Sequence, residues 1–234
     1  MMRSLYLLID LFTVIVPLAF SFHPRIRFYK EWKWFMPANI LTAVLFITWD
    51  MIFTGNGIWG FDPGYILGIY IYNIPLEEVL FFICIPYACV FTYYCLDRFF
   101  KPSRLEQFET SFILLLSFSL LIAGIIFYSR SYTSATFISL SLVLFFLKFF
   151  FKVPWLSKLL GIYPLLLIPF FIVNGVLTGS WTQHPVVWYN DQENLGIRLF
   201  TIPIEDIFYG FELILLNIFF YKRLKSASRM HITL

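Results

Sequence analysis

Two short segments of the chain set paired carboxylates at the edge of strongly apolar stretches: Pro75-Leu76-Glu77-Glu78 and Pro203-Ile204-Glu205-Asp206. Acids in the first turn of a helix interact well with its free N–H groups and its dipole, and that structural role would account for one such pair. Repetition points further. An ionisable residue inside a membrane segment marks a functional site by default, and Asp10, Asp50 and Glu212 fall in the same half of their own apolar stretches. An acid removed from water holds its proton more firmly and can serve as a general acid at neutral pH. The 30 Phe, 14 Tyr and 7 Trp supply ring faces that can stabilise a carbocation, although packing accounts for most of them. This set of residues suits the movement of protons on and off an apolar substrate. Glu205, Tyr209 and Glu212 follow at i, i+4 and i+7 and so share a helix face; at ~1.5 Å per residue their polar stripe is about 10 Å long. The corresponding positions after the first pair are Glu77, Phe81 and Cys84. Arg198, just upstream of the second pair, is expected either to keep one acid ionised or to anchor the chain at the membrane interface.

Other chemistries fit the residues less well. Gly55-Asn56-Gly57-Ile58-Trp59-Gly60 matches a dinucleotide-binding spacing, but it ends an apolar span where that motif requires a strand before it and a helix after it. A dinuclear metal site in a helical bundle wants Glu-x-x-His repeats, and neither His23, His184 nor His231 stands in that relation to an acid, so no metal is expected. A retinal pigment would need a lysine in the middle of the last span, which has none before Lys222. Cys84, Cys89 and Cys95 lie in one span at separations that suit packing better than a disulfide or a metal. No cofactor is called for.

The elements that must position the acids are membrane helices. The chain is 60% hydrophobic and only 13% charged, against about 25% charged in a soluble domain. A span needs ~20 mainly apolar residues, and seven stretches qualify: about 4–22, 36–54, 75–96, 111–128, 134–151, 158–177 and 203–221. The first of them reads as a retained helix rather than a cleaved signal, being long and followed by a basic cluster. Of the 17 Lys and Arg, only Arg3, Arg130 and Arg198 fall on one side of this scheme. The clusters Arg25 to Lys33, Arg98 to Arg104, Lys148 to Lys158 and Lys222 to Arg229 fall on the other. The positive-inside rule then sets the N-terminus outside and the C-terminus in the cytoplasm. The charge is thus sorted by membrane side, and no nucleic-acid partner is expected.

The acid pairs belong to a longer repeat. Glu77 and Glu205 are 128 residues apart, while Asp50 aligns with Asn174, and Thr54-Gly55 with Thr178-Gly179, at a separation of 124. The second copy therefore carries four extra residues in the loop before its pair. The expected organisation is a first repeat over residues 1–100, a linker with the fourth span over 101–130, and a second repeat over 131–234. An odd-numbered linker gives both repeats the same orientation. The expected fold is an all-α, polytopic membrane bundle of seven helices, built from two parallel three-helix repeats.

The doubled P-x-E-[E/D] motif, with Trp49-Asp50 and Asn174…Thr178-Gly179, closely resembles the heterodimer-type lycopene cyclases of bacteria, with both three-span subunits fused in one chain. The resemblance covers nearly the whole sequence. It implies a redox-neutral isomerase of the intramolecular-lyase class, acting in carotenoid biosynthesis in the cytoplasmic membrane. Its substrate would be lycopene or a related linear carotenoid, taken laterally from the lipid. One acid protonates the linear end group at C2, the C1 cation is attacked by the C5–C6 double bond, and loss of the C6 proton leaves a β-ring. Glu77, Glu78, Glu205 and Asp206 carry over as the catalytic acids, with Asp10, Asp50, Asn174, Arg198, Tyr209 and Glu212 in support. Other carotenoid enzymes are expected to associate with the protein. A membrane carotenoid binder or proton-coupled carrier using the same acids as a relay is the alternative reading.

Overall fold

The computed structural model describes residues 3–99 and 105–230. Lys101, Arg104 and His231, used in the reading above, lie outside the described residues. Among those residues there are seven α-helices: α1 (Leu5–Ser21), α2 (Trp32–Gly55), α3 (Leu76–Leu96), α4 (Leu105–Ile126), α5 (Ser131–Phe145), α6 (Leu156–Leu177) and α7 (Glu205–Met230). A 3₁₀ turn (Phe28–Glu31) leads into α2, and a π-helical turn (Phe146–Phe150) prolongs α5. Five helical stretches are long and apolar enough to cross a membrane: Phe28–Gly55, Leu76–Leu96, Phe108–Ile126, Ser131–Phe150 and Leu156–Leu177. α1 is apolar but has only 17 residues, and α7 mixes apolar turns with Glu205, Asp206, Glu212 and a basic end.

Large apolar side chains point outward along these helices, among them Phe12 and Val16 on α1, Leu115 and Phe118 on α4, and Ile168 and Ile172 on α6. Water would penalise such faces, whereas lipid tails match them. Pro17, Pro37, Pro86, Pro164 and Pro169 sit inside helices, as membrane helices tolerate.

The chain forms two compact units, Met1–Cys95 with Leu213–Leu234, and Leu96–Glu212. In the first, Phe28 is a ring hub, with centroids 5.5 Å from Phe35, 5.8 Å from Tyr87 and 5.1 Å from Tyr94. Polar ties run through the same packing. Asn39 Nδ2 donates to the Ile83 carbonyl at 3.0 Å, joining α2 to α3. Glu31 accepts from Tyr221 at 2.6 Å and from Lys225 at 2.5 Å, fixing the end of α7. In the second unit α4 lies antiparallel to α5. Ser141 donates to the Ser117 carbonyl and Lys148 pairs with Glu109, both at 2.7 Å. At Gly124 an added Cβ would meet Ile138 at 2.7 Å, so the helices approach closely there.

A short hairpin precedes each acid-bearing helix. Tyr70–Ile71 pairs antiparallel with Ile74–Pro75 in the first unit, and Arg198–Leu199 with Ile202–Pro203 in the second. Just before each hairpin stands a glycine in the left-handed region, Gly68 at φ 81° and Gly196 at φ 70°. Nothing lies within 4 Å of an added Cβ at either position, so a substitution there tests backbone conformation alone. Gly68→Ala and Gly196→Ala are each expected to destabilise the fold by roughly 1–2 kcal/mol, the left-handed penalty of an L side chain. Thermal unfolding in detergent measures this, and unchanged midpoints for both would mean that the loops do not depend on that conformation.

Candidate functional site

Both acid pairs open their helices directly after the hairpins, and each first acid is gripped by the loop rather than by its own helix. In the first unit the Leu67 N–H donates to Glu77 Oε1 at 2.6 Å. In the second the Leu195 N–H donates to Glu205 Oε1 at 2.8 Å, joined by the Thr133 hydroxyl at 2.5 Å. Glu77 and Glu205 are wholly buried, and in each the other oxygen, Oε2, has no hydrogen-bond partner. A buried polar atom without a partner is rare enough to need an explanation, and here it recurs at equivalent positions.

The second acid of each pair is bound by a phenol from another helix. Tyr6 on α1 donates to Glu78 Oε2 at 2.5 Å. Tyr132 on α5 donates to Asp206 Oδ1 at 2.6 Å, and Tyr189, from the loop before the hairpin, donates to Oδ2 at 3.0 Å. Aromatic faces surround these contacts. Phe81 lies edge-on to Tyr6 at 6.3 Å; Tyr132 stacks on Tyr189 at 5.9 Å and meets Tyr209 edge-on at 6.2 Å.

The remaining residues singled out from the sequence divide between the units. Asp10, one turn beyond Tyr6, is fully buried with neither carboxyl oxygen hydrogen-bonded. Asp50 on α2 is buried and bonded by the Trp59 side chain. In the second unit Glu212 is buried and accepts from Ser139 at 2.8 Å. Asn174 is half-buried on α6, and its carbonyl accepts the Thr178 N–H and hydroxyl. Arg198 is directed elsewhere: it pairs with Asp191 at 2.5 Å and donates to the Thr201 carbonyl, so its hydrogen bonds bypass Glu205 and Asp206. Among the described residues, no three His, Cys, Asp or Glu side chains converge as metal ligands.

The two loops share their backbone bonds. Asp62 and Asn190 each cap a turn through the side-chain oxygen, accepting the N–H two residues on. The carbonyls of Tyr65 and Glu193 accept the N–H groups of Tyr6 and Tyr132. Leu76 and Ile204 donate to Ile69 and Ile197, and Tyr72 and Phe200 take the same left-handed turn at φ 60° and 57°. Since the separation is already 128 at Asp62 and Asn190, the four extra residues of the second copy lie between Gly179 and Asn190. Sequence reasoning missed the gripping residues Tyr6, Tyr132, Thr133 and Tyr189. The signals were present, in Leu67-Gly68-Ile69 repeated as Leu195-Gly196-Ile197, and in Tyr6 and Tyr132 lying 126 residues apart.

The lycopene cyclase family model matches residues 3–96 and 129–224. Among curated proteins, the bifunctional lycopene cyclase/phytoene synthase of Aspergillus oryzae (strain ATCC 42149 / RIB 40) is 34% identical over 68 residues, which is 29% of this chain and 12% of that protein. The similarity therefore spans a small part of that longer relative. No solved structure matches. With Glu77, Glu78, Glu205 and Asp206 all inside matched stretches that together cover most of its length, the chain belongs to the lycopene cyclase family.

Proposed function

We propose that this protein is a lycopene β-cyclase of carotenoid biosynthesis, an isomerase of the intramolecular-lyase class that closes the linear end groups of lycopene into β-rings without change of formula. The observation that carries this reading is the doubled arrangement of a buried acid with one open carboxyl oxygen beside a second acid bonded by a phenol. Cyclisation needs one proton delivered at C2 and one removed from C6 of the same end group, and adjacent acids provide both functions with no co-reactant. The rings of Tyr6, Phe81, Tyr132 and Tyr209 flank the pairs, where their faces favour the intermediate cation.

The substrate enters laterally from the lipid, as the exposed apolar helix faces allow. The chain crosses a bacterial cytoplasmic membrane seven times with its N-terminus outside, α1 and α7 supplying the two spans beyond the five long apolar ones. Its organisation is a repeat over 1–100, a linker over 101–130 and a repeat over 131–234. The matching loops and grips described above support this division. Asp10, Asp50, Asn174, Tyr209 and Glu212 support the acids, and Arg198 orders the loop through Asp191.

In a lycopene-accumulating bacterium the protein is expected to convert the pigment to γ- or β-carotene, read by chromatography. Combining Glu77→Gln with Glu205→Gln should lower ring formation by about 100-fold or more, the usual range for loss of general acid catalysis. Lycopene left unchanged by the wild-type protein, folded in the membrane, would favour a binder or carrier instead. In deuterated water each ring formed should gain one solvent deuterium, seen by mass spectrometry; an unlabelled ring would rule out protonation by an exchangeable acid. For topology, Tyr72→Cys in a background lacking Cys84, Cys89 and Cys95 should react with a membrane-impermeant thiol reagent added outside intact cells, and Lys225→Cys should not. The reverse pattern would invert the orientation.

A further inference from the structure

We propose that the two acids of each pair have separate duties: Glu77 and Glu205 deliver the proton, while Glu78 and Asp206 receive it, aimed by Tyr6, Tyr132 and Tyr189. This inference rests on the cyclase reading and assigns roles within it. It follows from counting donors and acceptors at each carboxyl. A protonated carboxylic acid has one O–H and an acceptor oxygen, whereas a carboxylate has two acceptor oxygens. Glu205 has the first pattern: both of its donors, Thr133 and the Leu195 N–H, fall on Oε1, and Oε2 is buried with no partner. Glu77 repeats it, with the Leu67 N–H on Oε1 and Oε2 open. Asp206 has the second pattern, one phenol on each oxygen. To act as the donor it would have to hold its proton on an oxygen that already accepts a hydrogen bond. To act as the acceptor it needs only a free lone pair, and a carboxylate oxygen taking one phenol keeps one. Glu78 takes a short phenol bond from Tyr6, matching that of Tyr132 to Asp206.

The steps balance. Glu205 Oε2–H gives its proton to C2, leaving the cation at C1. The C5–C6 electron pair forms the C1–C6 bond and leaves the cation at C5. The C6–H bond then breaks toward Asp206, its electrons forming the C5–C6 double bond. Asp206 ends protonated and Glu205 ionised, and exchange with water between turnovers restores both. Glu77 and Glu78 run the same sequence.

The tyrosines are thus positioning residues, and their effect should appear in where the proton leaves. A C5 cation whose base is misplaced can lose a proton from C4, giving an ε-ring, or from the C5 methyl, giving an exocyclic double bond, or it can be captured by water. The experiment expresses three forms in the lycopene-accumulating strain: wild type, Glu77→Gln with Glu205→Gln, and Tyr6→Phe with Tyr132→Phe and Tyr189→Phe. Products are separated by chromatography and mass, and thermal unfolding in detergent checks each protein. The donor variant should leave lycopene unreacted with no abnormal product. The tyrosine variant should still consume lycopene, within about tenfold of wild type for each hydrogen bond lost, one at Glu78 and two at Asp206, while about a fifth or more of its rings are ε-rings, exocyclic rings or alcohols. Glu78→Gln with Asp206→Asn, which keeps the shape but replaces one acceptor oxygen by an NH2 donor and removes the base, should yield the same abnormal products and serves as the measurement should the tyrosine variant not fold. Only β-rings from the tyrosine and amide variants, or simple loss of reaction in folded forms of both, would overturn the division of roles. A wild type that forms no rings at all would overturn the cyclase reading itself.

Discussion

A carboxyl buried among apolar helices must be met by donors, because an uncompensated polar group in such surroundings carries a penalty of several kcal/mol. In both units the first donor is a backbone N–H, that of Leu67 for Glu77 and of Leu195 for Glu205. Much of the local architecture follows from getting that amide over the start of the helix. The loop must reverse direction, which the left-handed Gly68 and Gly196 permit. It must then return as a hairpin whose second strand ends at Pro75 or Pro203, residues that cannot donate and so suit the entry to a helix. The acid follows immediately, under the amide.

The first helix of each repeat is tied to the same loop twice. Tyr6 and Tyr132 each donate their backbone N–H to a loop carbonyl and their phenol to the second acid. A single residue therefore fixes the loop, the first helix and the carboxyl of the second acid relative to one another. Such double attachment gives the preorganisation that acid–base chemistry requires, since a positioned proton donor or acceptor acts only within hydrogen-bond reach. It also explains the pairing of the acids. One faces the loop amide and the other the first helix, and consecutive residues on a helix diverge by about 100°.

The acids, their repetition and the apolar helices were legible in the sequence because they rest on residue type and spacing. Expected spans agree closely with α3, α6 and the start of α7. The ends differ where polar residues continue a helix beyond its apolar part: α7 runs on through Lys222, Arg223 and Lys225 to Met230, and α2 begins at Trp32 rather than 36. The grips were marked only by comparison of the two copies. A backbone amide is marked only by the repeated Leu-Gly-Ile around it, and each tyrosine near the start of an apolar helix looks like an interfacial aromatic until the two are compared. Arg198 was legible as a cation beside the second pair, but its hydrogen-bond partners were not. The hairpin turns its guanidinium toward Asp191 for the direct ion pair.

Backbone and side-chain contacts differ in how they survive divergence between the two copies. The amide grip, the left-handed glycine, the hairpin and the carbonyl that holds the first helix are the same in both, though only part of the loop sequence is shared. Side-chain contacts have changed. Thr133 and Tyr189, which bond the second pair, correspond to Leu7 and Phe61, whose side chains cannot donate a hydrogen bond. Buried Asp10 and Asp50 correspond to Thr136 and Asn174, while Glu212 corresponds to Cys84. The first copy thus carries its extra carboxyls on its first two helices, and the second carries one on its third. Acid number and placement set the local electrostatics. The two copies therefore share one backbone cradle and differ in the charge that can be placed around it.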